Sequence, residues 1–315
     1  MVSEVGPLRT PSHDDPNAWV VLAEHRLWAA ETVRAEGSDD TVESEAAALI
    51  RYVEDETWRH RRWAAVAADG QVLGVAALSM GLRDNLHLGD CSVIVADAAR
   101  GHGVGRLLAE PLIAAAEEEG RRVLVGWAYV TPSDAEGSVP VATGTNTVEP
   151  DASVRFAMGQ GFTLEQVEAR SQLTLPVDAD VLTEAEAEAR AASVGYVLVG
   201  WGGRCPDEWV EQFCALRSAM SDDVPKGEVQ SETELWDEAR LRRRERRASE
   251  MGIETMILVA VHEESGALAG YTEVERKRER LASVAQEDTL VLQEHRGRRL
   301  GLLLKSQPNT WGKQG

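Results

Sequence analysis

Apolar residues recur at helical spacing over Trp19 to Arg34 (Trp19, Leu22, Leu27, Trp28) and over Thr41 to Glu56 (Ala46, Leu49, Ile50, Val53), which predicts two amphipathic helices. The pattern then shortens. Trp63 to Ala68 and Val72 to Met80 flank Asp69-Gly70, the signature of an antiparallel pair closed by a tight turn. His87 to Asp97 predicts a further strand, and its run Cys91-Ser92-Val93-Ile94-Val95 is apolar enough to be central. Gly103 to Glu119 returns to helical spacing, and Arg122 to Val130 predicts a buried strand. Thr131 to Pro150 is a long polar loop, a length typical of functional lids or of mobile connections. Asp151 to Gln160 predicts a short helix, and Ala169 to Val177 alternates as a last strand.

Beyond that point an alanine and glutamate run, Asp178 to Ser193, predicts a linker helix whose charges form a solvated face. A strand at Tyr196 to Gly200 follows, then helices over Asp207 to Met220 and Glu232 to Met251. A hairpin over Glu254 to Glu275 turns at Ser265-Gly266, and a strand covers Thr289 to Leu292. The basic run Arg240 to Arg247 fits an exposed helix face paired with acidic neighbours. The two halves are in register. Gly70, Gly74, Arg100, Gly101 and Gly105 recur as Gly266, Gly270, Arg296, Gly297 and Gly301 at a constant offset of 196 residues, the mark of an internal duplication. The expected organisation is a domain over 1–178, a linker helix over 179–194 and a partial second copy over 195–315.

The chain has 315 residues, enough for two ordinary domains, and its 43% apolar fraction supports packed cores. A net charge of −20 argues against a nucleic-acid partner, which would need a basic face to neutralise phosphates. The acidity suits cationic amines, although solubility alone also accounts for it. Cys91, Cys205 and Cys214 have neither the spacing of a disulfide framework nor that of a metal site. Met1 to Asn17 lacks the basic start and apolar run of a signal peptide, and no apolar stretch is long enough to span a bilayer. These features imply a cytoplasmic protein with no membrane partner.

The chemistry points to the Arg-Gly turn. Where a strand passes into a helix, the first backbone N–H groups of the helix have no internal partner and sit at the positive end of its dipole, so anions bind there. Gly101, Gly103 and Gly105 remove side chains so that phosphate oxygens can reach the N–H groups of residues 101 to 106, and Arg100 can add charge-assisted bonds. His102 contacts such a ligand through its backbone. An antiparallel hairpin lies upstream and no Gly-Lys-Ser/Thr follows, which excludes a Rossmann fingerprint and a P-loop. Arg299 of the second copy replaces Gly103 and would crowd a phosphate.

The stretch Val95-Ala-Asp-Ala-Ala-Arg100-Gly-His-Gly103-Val-Gly105-Arg-Leu-Leu108 resembles motif A of the GNAT acetyltransferase superfamily, in which Arg/Gln-x-x-Gly-x-Gly/Ala binds the pyrophosphate of acetyl-CoA. The leading helices, the hairpin at Gly70 and Phe156-Ala-Met-Gly-Gln-Gly161-Phe162 stand in the order of that fold. The second copy, His295-Arg296-Gly297-Arg-Arg-Leu300-Gly301-Leu-Leu-Leu-Lys305, is similar to the C-terminal half of tandem GNAT proteins. The resemblance implies a mixed α/β class, a tandem acyl-CoA N-acyltransferase fold with an incomplete second copy. It implies acetyl-CoA as cosubstrate, no metal, and a small-molecule or peptide amine as acceptor. The coenzyme would be held by Val93, Ile94 and Val95 of a splayed strand and by Arg100, Gly101, His102, Gly103, Val104, Gly105 and Arg106 of the turn.

The chain departs from the family in three places. Ala157 occupies the position of the usual tyrosine acid, leaving Tyr129 as a substitute. Ser92 replaces a common acidic residue, leaving Asp90 or the loop residues Asp134, Glu136 and Glu149 as possible bases, unless water relays serve. Completing the second copy would need roughly fifty residues beyond Lys305, going by the first. Only Ser306 to Gly315 follow, so that half reads as truncated or degenerate with an unpaired sheet edge, which a homodimer could cover. The implied function is amine N-acetylation. The alternative is a non-catalytic acyl-CoA-binding or interaction protein.

Overall fold

The computed structural model describes residues 1–223, 229 and 231–307. The chain divides into two compact units, Met1–Ala169 with Pro225–Glu232, and Arg170–Val224 with Thr233–Gly315.

In the first unit β1 (Val2–Val5), which the sequence patterns did not mark, precedes α1 (Ala18–Glu36) and α2 (Glu45–Tyr52). The strands β2 (Trp58–Val66), β3 (Val72–Gly81) and β4 (Leu88–Val95) then lead into α3 (Val104–Glu118) and β5 (Val123–Val125). The sheet order is β1-β2-β3-β4-β5, antiparallel except for the parallel pair β4-β5. Each strand alternates, so the sheet has two buried faces. Val20, Val21, Leu49, Ala64, Val75 and Ile94 pack under α1 and α2. Trp63, Ala76, Leu78, Leu108, Leu112 and Ala116 pack under α3. Leu108 and Leu112 are almost wholly buried, and burying each is worth about 1.5–3 kcal/mol, which fixes α3 against the end of β4. Pro111 lies inside α3 without ending it. Leu107, whose carbonyl loses its helical donor to the proline, is exposed, where water can serve instead.

The loop after β5 is neither formless nor a plain lid. It folds into a hairpin of β6 (Val139–Pro140) and β7 (Thr147–Val148), followed by α4 (Ala152–Gly159). Val141, Val148 and Val154 form a small core there, with Leu164 and Val167 packed on it. Ala142 and Thr143 donate backbone bonds to the Leu164 and Glu165 carbonyls, so the chain leaving α4 runs beside this hairpin. The last strand expected over Ala169 to Val177 does not form. Leu173 and Leu175 are exposed, so the alternation there has no surface to bury.

The second unit repeats the plan. It contains α5 (Ala179–Ala192), β8 (Tyr196–Gly202), α6 (Val210–Asp223), α7 (Glu238–Glu250), β9 (Ile253–His262), β10 (Leu268–Lys277), β11 (Ala285–Val291) and α8 (Leu300–Lys305). Its order β8-β9-β10-β11 is that of β1 to β4, and Gly270 faces Val291 as Gly74 faces Val95. Even the register shift in the central hairpin recurs, beside Ala65 in one copy and beside Gly270 in the other. Both repeated glycines have the same cause. A Cβ on Gly74 would stand 2.7 Å from the Ile94 carbonyl oxygen, and one on Gly270 would collide with the Leu290 carbonyl. The stretch Asp178 to Ser193, expected as a linker, is built into this unit: Ala189 of α5 is wholly buried with Leu300, Leu303 and Leu304 of α8. Among the described residues β11 is an edge strand, and residues 308–315 of the segment after Lys305 lie outside the described residues. The mixed α/β class and the duplicated architecture expected from the sequence are both present.

Candidate functional site

The parallel ladder between β4 and β5 is short. It pairs Leu88 with Val123, Gly89 with Leu124 and Asp90 with Val125, and there it ends although β4 continues to Val95. The expected strand over Arg122 to Val130 is therefore paired only over Val123–Val125, and the chain then leaves β4. The N–H of Ala96 donates to Leu73, so even-numbered residues of β4 turn their backbone groups to β3 and odd-numbered residues turn theirs toward the gap. Val93 and Val95 thus face the gap with no strand opposite, whereas Ile94 bonds β3 and buries its side chain under α1. Cys91 also borders the gap. Burial pushes its thiol up to about 12, so it is neutral at neutral pH and unsuited to be a nucleophile.

At the end of β4 one 3-10 turn (Asp97–Ala99) leads into the glycine turn. Gly101 and Gly103 have φ of 75° and 81°, and nothing lies within 4 Å of where a Cβ on either would stand. Gly103 caps α3 without a side-chain bond, whereas α2, α4, α5 and α7 are each capped by a serine or aspartate oxygen. The first helical bond of α3 runs from Leu107 N–H to Gly103, which leaves the N–H groups of Val104, Gly105 and Arg106 as orphan donors beside an open turn. Val104 is buried and Arg106 is exposed on this first turn. His102 is exposed and its Nδ1 lies 2.8 Å from the Arg100 carbonyl, so that nitrogen carries the proton and the ring braces the turn.

Two residues expected to touch phosphate are engaged elsewhere. Arg100 donates from Nε to the Val95 carbonyl at 3.1 Å and from Nη2 to Glu31 of α1 at 2.9 Å, with Asp97 at 3.1 Å. Its guanidinium holds the turn to the strand end and to the first helix. Gly105 is a packing glycine, because the Phe156 ring of α4 lies 3.2 Å from where its Cβ would be. Glu31 also pairs with Arg34. Burial alone would raise its carboxyl, but the bonds and charges from Arg34 and Arg100 hold it below the usual carboxylate range.

Of the expected acids and bases, Tyr129 donates its hydroxyl to Glu36 at 2.9 Å and lies 3.3 Å from Thr32, which ties the segment after β5 to the end of α1. Asp90 is exposed at the last rung of the β4-β5 ladder. Asp134, Glu136 and Glu149 are exposed around the β6-β7 hairpin. Glu24 was not expected. It is 4% exposed on α1, accepts from Arg62 Nε at 2.7 Å and from the Ser92 hydroxyl at 3.2 Å, and Arg62 lies 4.4 Å over the Tyr52 ring. Burial pushes Tyr52 up to about 12. The signal was present in the sequence: Glu24 stands on the buried stripe of α1, four residues after Val20, and Arg62 stands at an inward phase of β2.

The second unit repeats the arginine brace but not the glycine at the end of the turn. Arg296 donates from Nε to the Val291 carbonyl at 2.9 Å and from Nη2 to Asp223 at 2.5 Å, the same two kinds of partner that Arg100 has. Arg299 takes the left-handed conformation of Gly103, with φ of 53°, and its side chain pairs with Glu188 of α5 at 2.8 Å. That ion pair holds the side chain against α5, at whose end the Ser193 hydroxyl donates to the Arg298 carbonyl of the turn at 2.9 Å. The helix that follows has six residues.

Residues 25–142 match the model of the acetyltransferase (GNAT) family. No curated protein matches the sequence. Among solved structures, a tandem GNAT protein from the clavulanic acid biosynthesis pathway, solved without acetyl-CoA, is 23% identical. It aligns over 97% of this chain and 83% of its own length with a TM-score of 0.61. A GCN5-related N-acetyltransferase from Sphaerobacter thermophilus is 16% identical over 97% of this chain and 81% of its own, with a TM-score of 0.51. The glucosamine N-acetyltransferase region of a fungal multi-domain GH3 β-N-acetylglucosaminidase is 14% identical over 97% of this chain and 33% of its own, also at 0.51. Residues 25–142 are thus similar to the GNAT family, and the chain as a whole has the fold of a tandem GNAT protein.

Proposed function

We propose that this chain is an N-acetyltransferase that takes acetyl-CoA in its first unit and passes the acetyl group to the amine of a small molecule or peptide. The observation that carries the reading is the uncapped start of α3. A fifteen-residue helix presents orphan N–H groups next to two left-handed glycines with open space above them, at the mouth of the gap between β4 and β5. A diphosphate fits such a cradle, with Arg106 as the exposed cation and Arg100 shaping the turn rather than touching the ligand. The pantetheine arm is assigned to the open backbone edge of Val93 and to the N–H of Val95, whose carbonyl is already held by Arg100, and these N–H groups would also polarise the thioester carbonyl. Only one coenzyme site is assigned, since the second copy lacks the glycine at position 299 and has a short helix behind it. The net charge of −20 favours a cationic acceptor, and the three free cysteines suit a reducing cytoplasm.

The reading is tested by thiol release from acetyl-CoA with spermidine, glucosamine and a free-amine tripeptide as acceptors. Turnover with at least one of them, reduced tenfold or more by Gly103→Ala, is the expected result. Coenzyme binding without turnover would favour the alternative, a non-catalytic acyl-CoA-binding protein, for which Ala157 and the tethered hydroxyl of Tyr129 are the supporting features.

A further inference from the structure

The gap between β4 and β5 has a polar group on the face away from α3. Val93 and Val95 project their side chains into the core beneath α3, whereas Ser92 projects to the α1 side, where its hydroxyl donates to Glu24 Oε1 at 3.2 Å. Ser92 is half-buried and adjoins Val93, whose backbone opens on the gap. The second oxygen of Glu24 accepts from Arg62 Nε at 2.7 Å, and both side chains are at most 5% exposed. Arg62 Nη2 is buried and has no hydrogen-bond partner among the described residues. A buried carboxylate and guanidinium are costly to assemble, and their desolvation commonly exceeds what the pair returns in stability. Here the pair holds one hydroxyl at a fixed place beside the opened strand.

The internal repeat makes the position informative. At the offset of 196 residues, Ser92 corresponds to Asp288 of β11. Asp288 accepts from the Tyr271 hydroxyl at 3.1 Å and faces Arg217 Nη2 at 3.7 Å. Arg217 in turn pairs with the wholly buried Glu273 at 2.6 Å. Both copies therefore bring a carboxylate and a buried arginine to this point of the fourth strand. In the second copy the strand residue is itself the carboxylate, and in the first the strand offers a hydroxyl backed by a carboxylate from the first helix.

From this arrangement we infer that Ser92 is the proton acceptor for the attacking amine and that Glu24, held by Arg62, is the positioning residue that takes the proton onward. The inference rests on the acetyltransferase reading above. As the amine lone pair forms the C–N bond, the amine proton passes to Ser92 Oγ and the Ser92 proton passes to Glu24 Oε1. The C–S electron pair departs with the coenzyme thiolate, which is protonated by solvent. Glu24 returns its proton to water between turnovers, so charge and protons balance with no further reactant. The relay supplies what Ser92 alone cannot, because a lone serine hydroxyl is too weak a base to keep a proton.

The test compares the unsubstituted chain with Ser92→Ala, Ser92→Asp and Glu24→Gln, using acetyl-CoA and the three amines named above. Ser92→Ala is expected to lower kcat about 100-fold or more, with the acetyl-CoA Kd from calorimetry unchanged within about twofold. Ser92→Asp, which installs the carboxylate the second copy carries, is expected to recover most of the loss. Ser92→Ala is small and conservative, so the test stands even where Glu24→Gln fails to fold. Infrared difference spectra with isotope-labelled glutamate provide a readout independent of turnover: Ser92→Ala should shift the Glu24 carboxylate stretch as its hydrogen bond is lost. A Ser92→Ala kcat within about twofold of the unsubstituted chain, or an unmoved carboxylate band, would overturn the relay while leaving the acetyltransferase reading intact. An unsubstituted chain that binds acetyl-CoA but acetylates none of the amines would defeat that reading, and the relay with it.

Discussion

Gly103 and Gly105 stand two positions apart in one motif and act in different ways. Gly103 has a left-handed backbone and open space around it, so it shapes the face that would meet a diphosphate. Gly105 has an ordinary helical conformation and makes room for Phe156. Substituting them should separate binding from stability. Gly103→Ala places a side chain in a conformation that costs about 1–2 kcal/mol; relaxing that strain re-aims the turn amides, so the acetyl-CoA Kd should rise about tenfold or more in calorimetry. Gly105→Val should instead overpack the α3-α4 contact by about 1–3 kcal/mol, visible as a lower melting temperature, with a smaller change in Kd. The sequence motif treats the two glycines alike, because spacing records that a side chain is absent and not what occupies its place. Arg100 teaches the same lesson. The sequence motif reads it as a phosphate contact, yet Arg100 and its counterpart Arg296 both close on the strand-end carbonyl and on a carboxylate of the helix that follows the first strand of the sheet, α1 in one copy and α6 in the other. The residues that repeat are those the architecture needs, and the candidate chemistry lies where the copies differ.

At the scale of elements, the brace between α1 and the turn after β4 can be measured. Glu31 and Arg100 form it across the sheet end, with Arg34 as a second partner of Glu31. A double-mutant cycle with Glu31→Gln and Arg100→Gln should give a coupling of about 1 kcal/mol, since the arginine is partly exposed and screened. The pH dependence has a definite sign. Folding lowers the pKa of Glu31, so its contribution is complete above the unfolded value, about 4.3, and is lost as pH falls through the folded value. Glu31→Gln should therefore melt below the unsubstituted chain at pH 7, and the difference should shrink below about pH 4. A difference that stays constant down to pH 3 would show that Glu31 acts through something other than its charge. Most elements are legible from periodicity: α1, the β9-β10 hairpin and α3 stand within about two residues of their expected bounds, whereas β2 begins at Trp58, well ahead of its expected start at Trp63. The misreadings share one cause. β1 is four residues with only its ends half-buried, too short to show a period. The segment over Ala169 to Val177 alternates without a partner surface, and the α5 run is so rich in charge that its one buried stripe, around Ala189, was hidden. Periodicity reports what could be buried; tertiary neighbours decide what is. The Glu24–Arg62 pair shows the converse, two charges at core phases that a hydrophobic pattern treats as noise.

At the scale of the whole molecule, duplication has produced two units of like topology and unlike ends. The first keeps an uncapped fifteen-residue helix behind an open glycine turn and a strand that parts from its neighbour. The second places Arg299 where the glycine would be and ties it to Glu188 ahead of a six-residue helix. At this position the two units share a left-handed backbone and differ in the side chain, while the sheet, the arginine brace and the close-approach glycines recur in both. Titration calorimetry of the full chain with acetyl-CoA tests this asymmetry most directly, using the unsubstituted protein beside Gly103→Ala and Arg299→Ala. One molecule bound per chain is expected, weakened about tenfold or more by Gly103→Ala and unchanged by Arg299→Ala. Two equivalent sites, or a single site indifferent to Gly103 and lost with Arg299, would contradict the assignment of the coenzyme to the first unit.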